Sequence, residues 1–197
     1  MALTGHKHTR LFINYLIDPE NVINYHRTDS ELELWWMFSC VVAGKTARTQ
    51  ARLLEAFLKK LPGESPFDKL RTIGEEKLRE ALIESRLGQY NRLARTFWES
   101  LSLDLRNCSV SDLETIHGVG PKTARMFIMM SRPDQRLAAL DTHVLKHLRA
   151  QGIEAPKTTP PAGTRYRDLE DAFIALADEA GMAVADYDLQ VWKEYAK

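Results

Sequence analysis

Between residues 111 and 130 the chain carries a short helical pattern, Ser111-Asp-Leu-Glu-Thr-Ile116, then His117-Gly-Val-Gly-Pro121, then a second helical pattern from Lys122 to Met130. Two glycines around one apolar residue, followed by proline, stop one helix and start another within a few positions. Glycine reaches backbone conformations closed to other residues. Val119 is placed to anchor the turn in a core. The stretch is therefore committed to two helices meeting at a tight hairpin. The first N–H groups of the second helix have no intrahelical partner and favour an anion. Gly118, Val119 and Gly120 are candidate binders of a DNA phosphate, a contact that reads no base sequence. The hairpin carbonyls offer ligands for a monovalent cation. Many helix–helix turns contain glycine for geometry alone, so the hairpin by itself does not fix a function.

The rest of the chain is also helical in pattern. Ser30–Val42 reads as an apolar helix with a Ser30-x-x-Glu33 capping box. Thr46–Lys60 repeats Ala47, Ala51, Leu54, Phe57 and Leu58 at helical spacing. Ser65 and Pro66 mark a helix start, and Glu75–Leu87 and Tyr90–Leu103 are amphipathic. Ser111 with Glu114 opens the short helix before the hairpin. Asp141 is a good cap for Thr142–Arg149. Thr164–Ala180 and Val184–Tyr195 close the chain. No segment alternates as a strand does. The expected fold is all-α: two helical lobes around a DNA-binding cleft, in one unit spanning 1–197. One lobe draws on residues from about 30 to 110 and on the C-terminal helices, and the hairpin and catalytic lobe covers about 111–150.

Charge is balanced, 27 basic against 27 acidic residues, which taken alone argues against a nucleic-acid binder. Its distribution says otherwise. From His117 to Arg149 there are six lysines and arginines against two aspartates. No apolar run approaches the ~20 residues of a membrane span, and the polar start of the chain has no signal core. A cytoplasmic protein is expected. Cys40 and Cys108 are too few for an iron–sulfur cluster. His117 and His143 have no second ligand at metal spacing, so no metal is required.

The longer string Leu113-Glu-Thr-Ile-His-Gly-Val-Gly-Pro-Lys-Thr-Ala124 resembles the helix-hairpin-helix-GPD superfamily of DNA glycosylases. Ala139-Leu-Asp-Thr-His-Val144 resembles that family's aspartate element. The resemblance implies that Lys122 is the lysine that attacks the deoxyribose C1′ in bifunctional members, leaving a Schiff base that β-elimination resolves into a nicked strand. It implies that Asp141 stabilises positive charge on the sugar and manages protons. Singly, a lysine near a helix start is usually solvated and Asp141 could simply cap its helix. Together inside two matching strings they read as catalytic.

Endonuclease III-like relatives carry late cysteines that this chain lacks, and eukaryotic-type 8-oxoguanine enzymes carry an extra β-rich domain. The chain is most similar to the compact archaeal-type 8-oxoguanine glycosylase/lyases, on Phe38–Ala47, Arg86–Ala94, Pro156-Lys-Thr158 with Tyr166 and Leu169-Glu170, and Asp188-Leu-Gln-Val-Trp192. That resemblance implies a base pocket containing Trp192 and the terminal Lys197. It also implies double-stranded DNA with a damaged base as partner, no cofactor, and action as a monomer. Lys45, Thr46, Arg86 and Gln89 are candidate phosphate or gap contacts. The tail after Trp192 is short, and Gly44 and Lys45 stand where a larger residue is expected, so the base itself stays open. A glycosylase for another modified base, or a non-catalytic hairpin module, are the alternatives.

Overall fold

The computed structural model describes residues 17–195, in which ten helices and no strands occur. The all-α expectation holds. The helices are α1 (Asp29–Val41), α2 (Ala47–Lys60), α3 (Pro66–Ile73), α4 (Glu75–Ser85), α5 (Tyr90–Ser100), α6 (Val110–Glu114), α7 (Pro121–Ser131), α8 (Thr142–Ala150), α9 (Thr164–Glu179) and α10 (Val184–Tyr195).

Helix α1 is the keel. Residues Trp35 to Val41 are all buried, and α1 packs on α2, α3 and α5 as well as on α7. Its two tryptophans point to different partners. Trp36 donates through Nε1 to Ser100 Oγ at 2.7 Å, on the N-terminal side of the molecule. Trp35 donates to the Phe127 carbonyl at 3.0 Å, on the far side. Each bond satisfies a donor that burial would otherwise leave unpaired.

Two capping boxes differ from the sequence expectation. The α1 capping box is Thr28 with Glu31, not Ser30 with Glu33: Thr28 Oγ1 accepts from Glu31 N at 3.3 Å, and Glu31 accepts from Thr28 N at 2.7 Å. Both pairs have the right spacing, but Glu33 is used elsewhere, accepting from Phe67 N at 3.0 Å. The α6 box is likewise Ser109 with Asp112. Among the described residues, α9 and α10 sit with the hairpin half of the molecule. They pack on α7 and α8, because their apolar faces, with Phe173, Tyr187 and Val191, meet the buried side of α8 around His147.

The hairpin between α6 and α7 is backed by α5. Thr96 Oγ1 donates to the His117 carbonyl at 2.7 Å, and Arg92 Nη1 donates to the Gly118 carbonyl at 3.1 Å. Val119 is buried, as its anchoring role requires. Gly118 has φ +74°, and a Cβ there would meet Arg92 Cγ at 2.5 Å. Both a left-handed backbone and a close approach therefore demand glycine. Gly118→Ala should cost roughly 1–3 kcal/mol in urea unfolding. A variant as stable as the wild type would show that the turn relaxes without loss.

Candidate active site

A cleft of about 860 Å³ opens between the N-terminal helices and the α7–α10 half. Lys45, Thr46, Gly120, Lys122, Asp141 and Trp192 all line it, so the structure gathers most of the sequence-predicted residues at one place. Gly118 and Val119 do not line it; they sit behind it at the hairpin. Arg86 and Gln89 flank it on the exposed turn between α4 and α5, both with left-handed backbones, φ 60° and 51°. Of the aromatics nearby, Trp192 and Trp35 line the cleft, while Trp36 and Phe127 belong to the core alone. Lys197 lies outside the described residues.

Lys122 is the second residue of α7, half-buried, with its ammonium 3.2 Å from Met126 Sδ one turn on. Among the described residues it makes no ion pair. No carboxylate ties it down, and the thioether steers it along the helix surface.

Asp141 is the N-cap of α8. One oxygen, Oδ1, accepts from both His143 N at 2.8 Å and Val144 N at 2.9 Å. Among the described residues Oδ2 has no protein donor. Capping and a charge-bearing role therefore do not compete: one oxygen fixes the carboxyl to the helix and the other is left for the cleft.

Three helices begin on the cleft wall: α2 at Thr46, α7 at Gly120 and α8 at Asp141. Asp141 caps its helix, but neither Thr46 nor Gly120 makes a side-chain cap bond. The amides at the starts of α2 and α7 are thus available to an anion. Lys45 stands beside the first of them, its Nζ donating to the Leu87 carbonyl. Burial and the nearby Arg92 charge draw its pKa below the ordinary lysine value. Arg92 itself joins three elements: it donates to Cys40 O at 2.9 Å, Gly118 O at 3.1 Å and Gln89 Oε1 at 2.7 Å. With Thr96 and Arg92 on the His117 and Gly118 carbonyls, two of the hairpin carbonyls expected to serve a cation are already committed.

One residue gains a role that sequence reasoning did not assign. Asp188 on α10 lines the cleft, is 8% exposed, and among the described residues its Oδ2 has no hydrogen-bond partner. Desolvation first, and then the charge of Asp141, raise its pKa well above the ordinary value, against an opposing effect of Lys122. A signal was present: Asp188 falls on the buried stripe of α10 with Val184, Tyr187 and Val191. An acid on an apolar stripe seldom lacks a purpose.

No family model matches this chain. A relative from Thermotoga sp. (strain RQ2), an 8-oxoguanine DNA glycosylase/AP lyase, is 29% identical over 153 residues, covering 74% of this chain and 68% of the relative. Two crystal structures from Methanocaldococcus jannaschii share the fold. The 8-oxoguanine glycosylase/lyase in complex with 15mer DNA containing 8-oxoguanine matches with a TM-score of 0.66 at 20% identity, over 87% of this chain and 83% of that one. The 8-oxoguanine DNA glycosylase matches with a TM-score of 0.67 at 19% identity, over 90% and 85%.

Asp188 yields a pH prediction. A carboxyl whose folded pKa is raised stabilises the fold below its unfolded value, and that stability is lost as pH climbs through the window up to the folded value. Asp188→Asn should therefore be more stable than wild type at neutral pH, and should lose the part of the decline that begins near the ordinary carboxylate range. Urea midpoints measured from pH 4 to 8 (~4–8, bracketing the carboxylate window) test this; equal slopes in both proteins would reject it.

Proposed function

We infer that this chain is a member of the compact archaeal-type 8-oxoguanine DNA glycosylase/AP lyases, and that it releases an oxidised purine and then nicks the strand. It is related to those enzymes in sequence and shares their fold. The observation that carries the reading is the meeting of Lys122 and Asp141 on one cleft wall, each at the start of its own helix.

The duplex is held through its phosphates by the free helix starts at Gly120 and Thr46, with Lys45 beside the latter. The damaged nucleotide is extruded into the cleft, since a base inside the stack cannot be reached. Trp192, half-buried on the cleft wall, offers it a stacking face. Asp188, in the lining of the same cleft, stands on the wall that would receive the base.

The unprotonated Lys122 amine attacks C1′, and the glycosidic bond breaks with its electron pair leaving on the base, which takes up a proton. Positive charge that develops on the sugar faces the Asp141 carboxyl. Ring opening gives the Schiff base, and removal of a C2′ proton expels the 3′ phosphate. In this reading the amine and carboxyl supply the chemistry and no cofactor takes part. On the same reading the enzyme acts as a monomer. Among the described residues no helix is long and apolar enough to cross a membrane, and we place the enzyme with DNA in the cytoplasm.

Lys122→Gln should abolish borohydride trapping on duplexes carrying 8-oxoguanine while damaged-DNA binding stays measurable. Persistent trapping would mean that another group is the nucleophile. Asp141→Asn should slow base release on the order of 10²-fold or more without unfolding the chain. A wild-type rate would reduce Asp141 to a helix cap. Wild-type protein that binds the duplex yet forms no adduct would favour the non-catalytic hairpin module.

A further inference from the structure

Asp141 is preceded by an extended segment, Ala138-Ala-Leu140, that is buried and belongs to no helix or strand. Its backbone groups cannot be left unpaired there, and side chains of α9 supply most of the partners. Tyr166 Oη donates to the Ala138 carbonyl at 2.8 Å and accepts from Leu140 N at 3.1 Å. Glu170 Oε1 accepts from Ala138 N at 2.8 Å. Thr159 Oγ1 donates to the Leu140 carbonyl at 2.7 Å. Tyr166 and Glu170, one turn apart on α9, thus pair with the segment as a neighbouring strand would.

The same two residues hold α7. The Glu170 Oε1 that receives Ala138 N also receives Arg125 Nε at 2.8 Å, and the Arg125 guanidinium lies 4.4 Å from the Tyr166 ring centroid. Arg125 is three residues beyond Lys122 on α7, and donates back to the Pro121 carbonyl at 3.3 Å and to Glu114 at 2.8 Å. Tyr166 is fully buried and Glu170 is 7% exposed.

We propose that Tyr166 and Glu170 are positioning residues that set the separation of Lys122 and Asp141, by bonding the segment before Asp141 and the first turns of α7 to one point on α9. The inference rests on the functional reading above. A shift of about 1 Å in a reacting group can cost ~10²-fold in rate, so a network that fixes two such groups acts on catalysis without touching the DNA.

Tyr166→Phe tests it, because the ring and its packing remain while both bonds to the segment are lost. Single-turnover release of 8-oxoguanine should fall roughly 10- to 100-fold, with duplex affinity within about 2-fold of wild type (~0.4 kcal/mol). In an Asp141→Asn background the same substitution should have little further effect, since it acts through Asp141. Amide exchange at Leu140 should quicken, and that at Ile128 and Met129 on α7 should not. An undiminished loss in the Asp141→Asn background, a wild-type rate, or unchanged Leu140 exchange would overturn the proposal. Should Tyr166→Phe fail to fold, Thr159→Val removes the hydroxyl that bonds the Leu140 carbonyl of the same segment; slowed release with retained affinity supports the proposal, and wild-type release overturns it. Wild-type protein that releases no 8-oxoguanine would strike the functional reading instead, while Leu140 exchange in the variant still decides whether the network holds the segment.

Discussion

Three helices begin on one cleft, and much else in the molecule follows from that. Each helix start carries unpaired N–H groups and the positive end of a dipole worth about half a charge. The chain as a whole has no net charge, so any attraction for a polyanion must be local. The starts of α2 and α7, uncapped by side chains, supply it beside Lys45 and Lys122. The start of α8 is spent differently, on the Asp141 carboxyl, which the helix holds in place. Arrangement of helix ends, more than a surplus of lysines, makes this cleft fit for a phosphate chain.

The same cleft holds two carboxyls in opposite surroundings. Asp141 receives two amide N–H groups, whereas Asp188 is desolvated and leaves an oxygen unpaired. Environments that treat two neighbouring acids so differently are a common way to divide labour between them. Keeping Asp188 there weakens the free protein. Asp188 lies in the lining of the same cleft that holds Lys122.

How much of this could be read in the sequence depends on how local the signal was. Pro66 after Ser65, Asp141 before Thr142 and the Gly118–Pro121 break each announce themselves within four residues, and each was found where expected. The α1 cap was misplaced by two residues because Thr28–Glu31 and Ser30–Glu33 have the same spacing, and only the tertiary bond from Phe67 N to Glu33 separates them. The partners of α9 and α10 are not legible in the sequence, since an amphipathic stripe says that a face is buried without saying against what. Arg92, Tyr166 and Glu170 lie in stretches that carry the family resemblance, but the sequence assigns none of them a role. Their partners lie 52, 28 and 32 residues away at Cys40, Ala138 and Ala138, and no local pattern encodes such a meeting.

Those long-range bonds explain how Lys122 and Asp141 can sit on separate helices and still be held on one cleft. Lys122 is rigid because α7 is, and Asp141 is rigid because it caps α8, yet the connection between them runs through the Ser131–Asp134 turn and an extended buried segment. Backbone alone would leave their separation loosely set. The Arg125, Glu170 and Tyr166 side chains remove that freedom from one side, and Arg92 ties the hairpin to α1 and α5 from the other. Both anchors end on backbone carbonyls or amides, so each fixes the main chain itself and leaves Lys122 and Asp141 without partners that would compete with a substrate. Among the described residues, a site built this way leaves the Lys122 ammonium without an ion pair and one Asp141 oxygen without a protein donor, because the rigidity comes from residues one layer behind them.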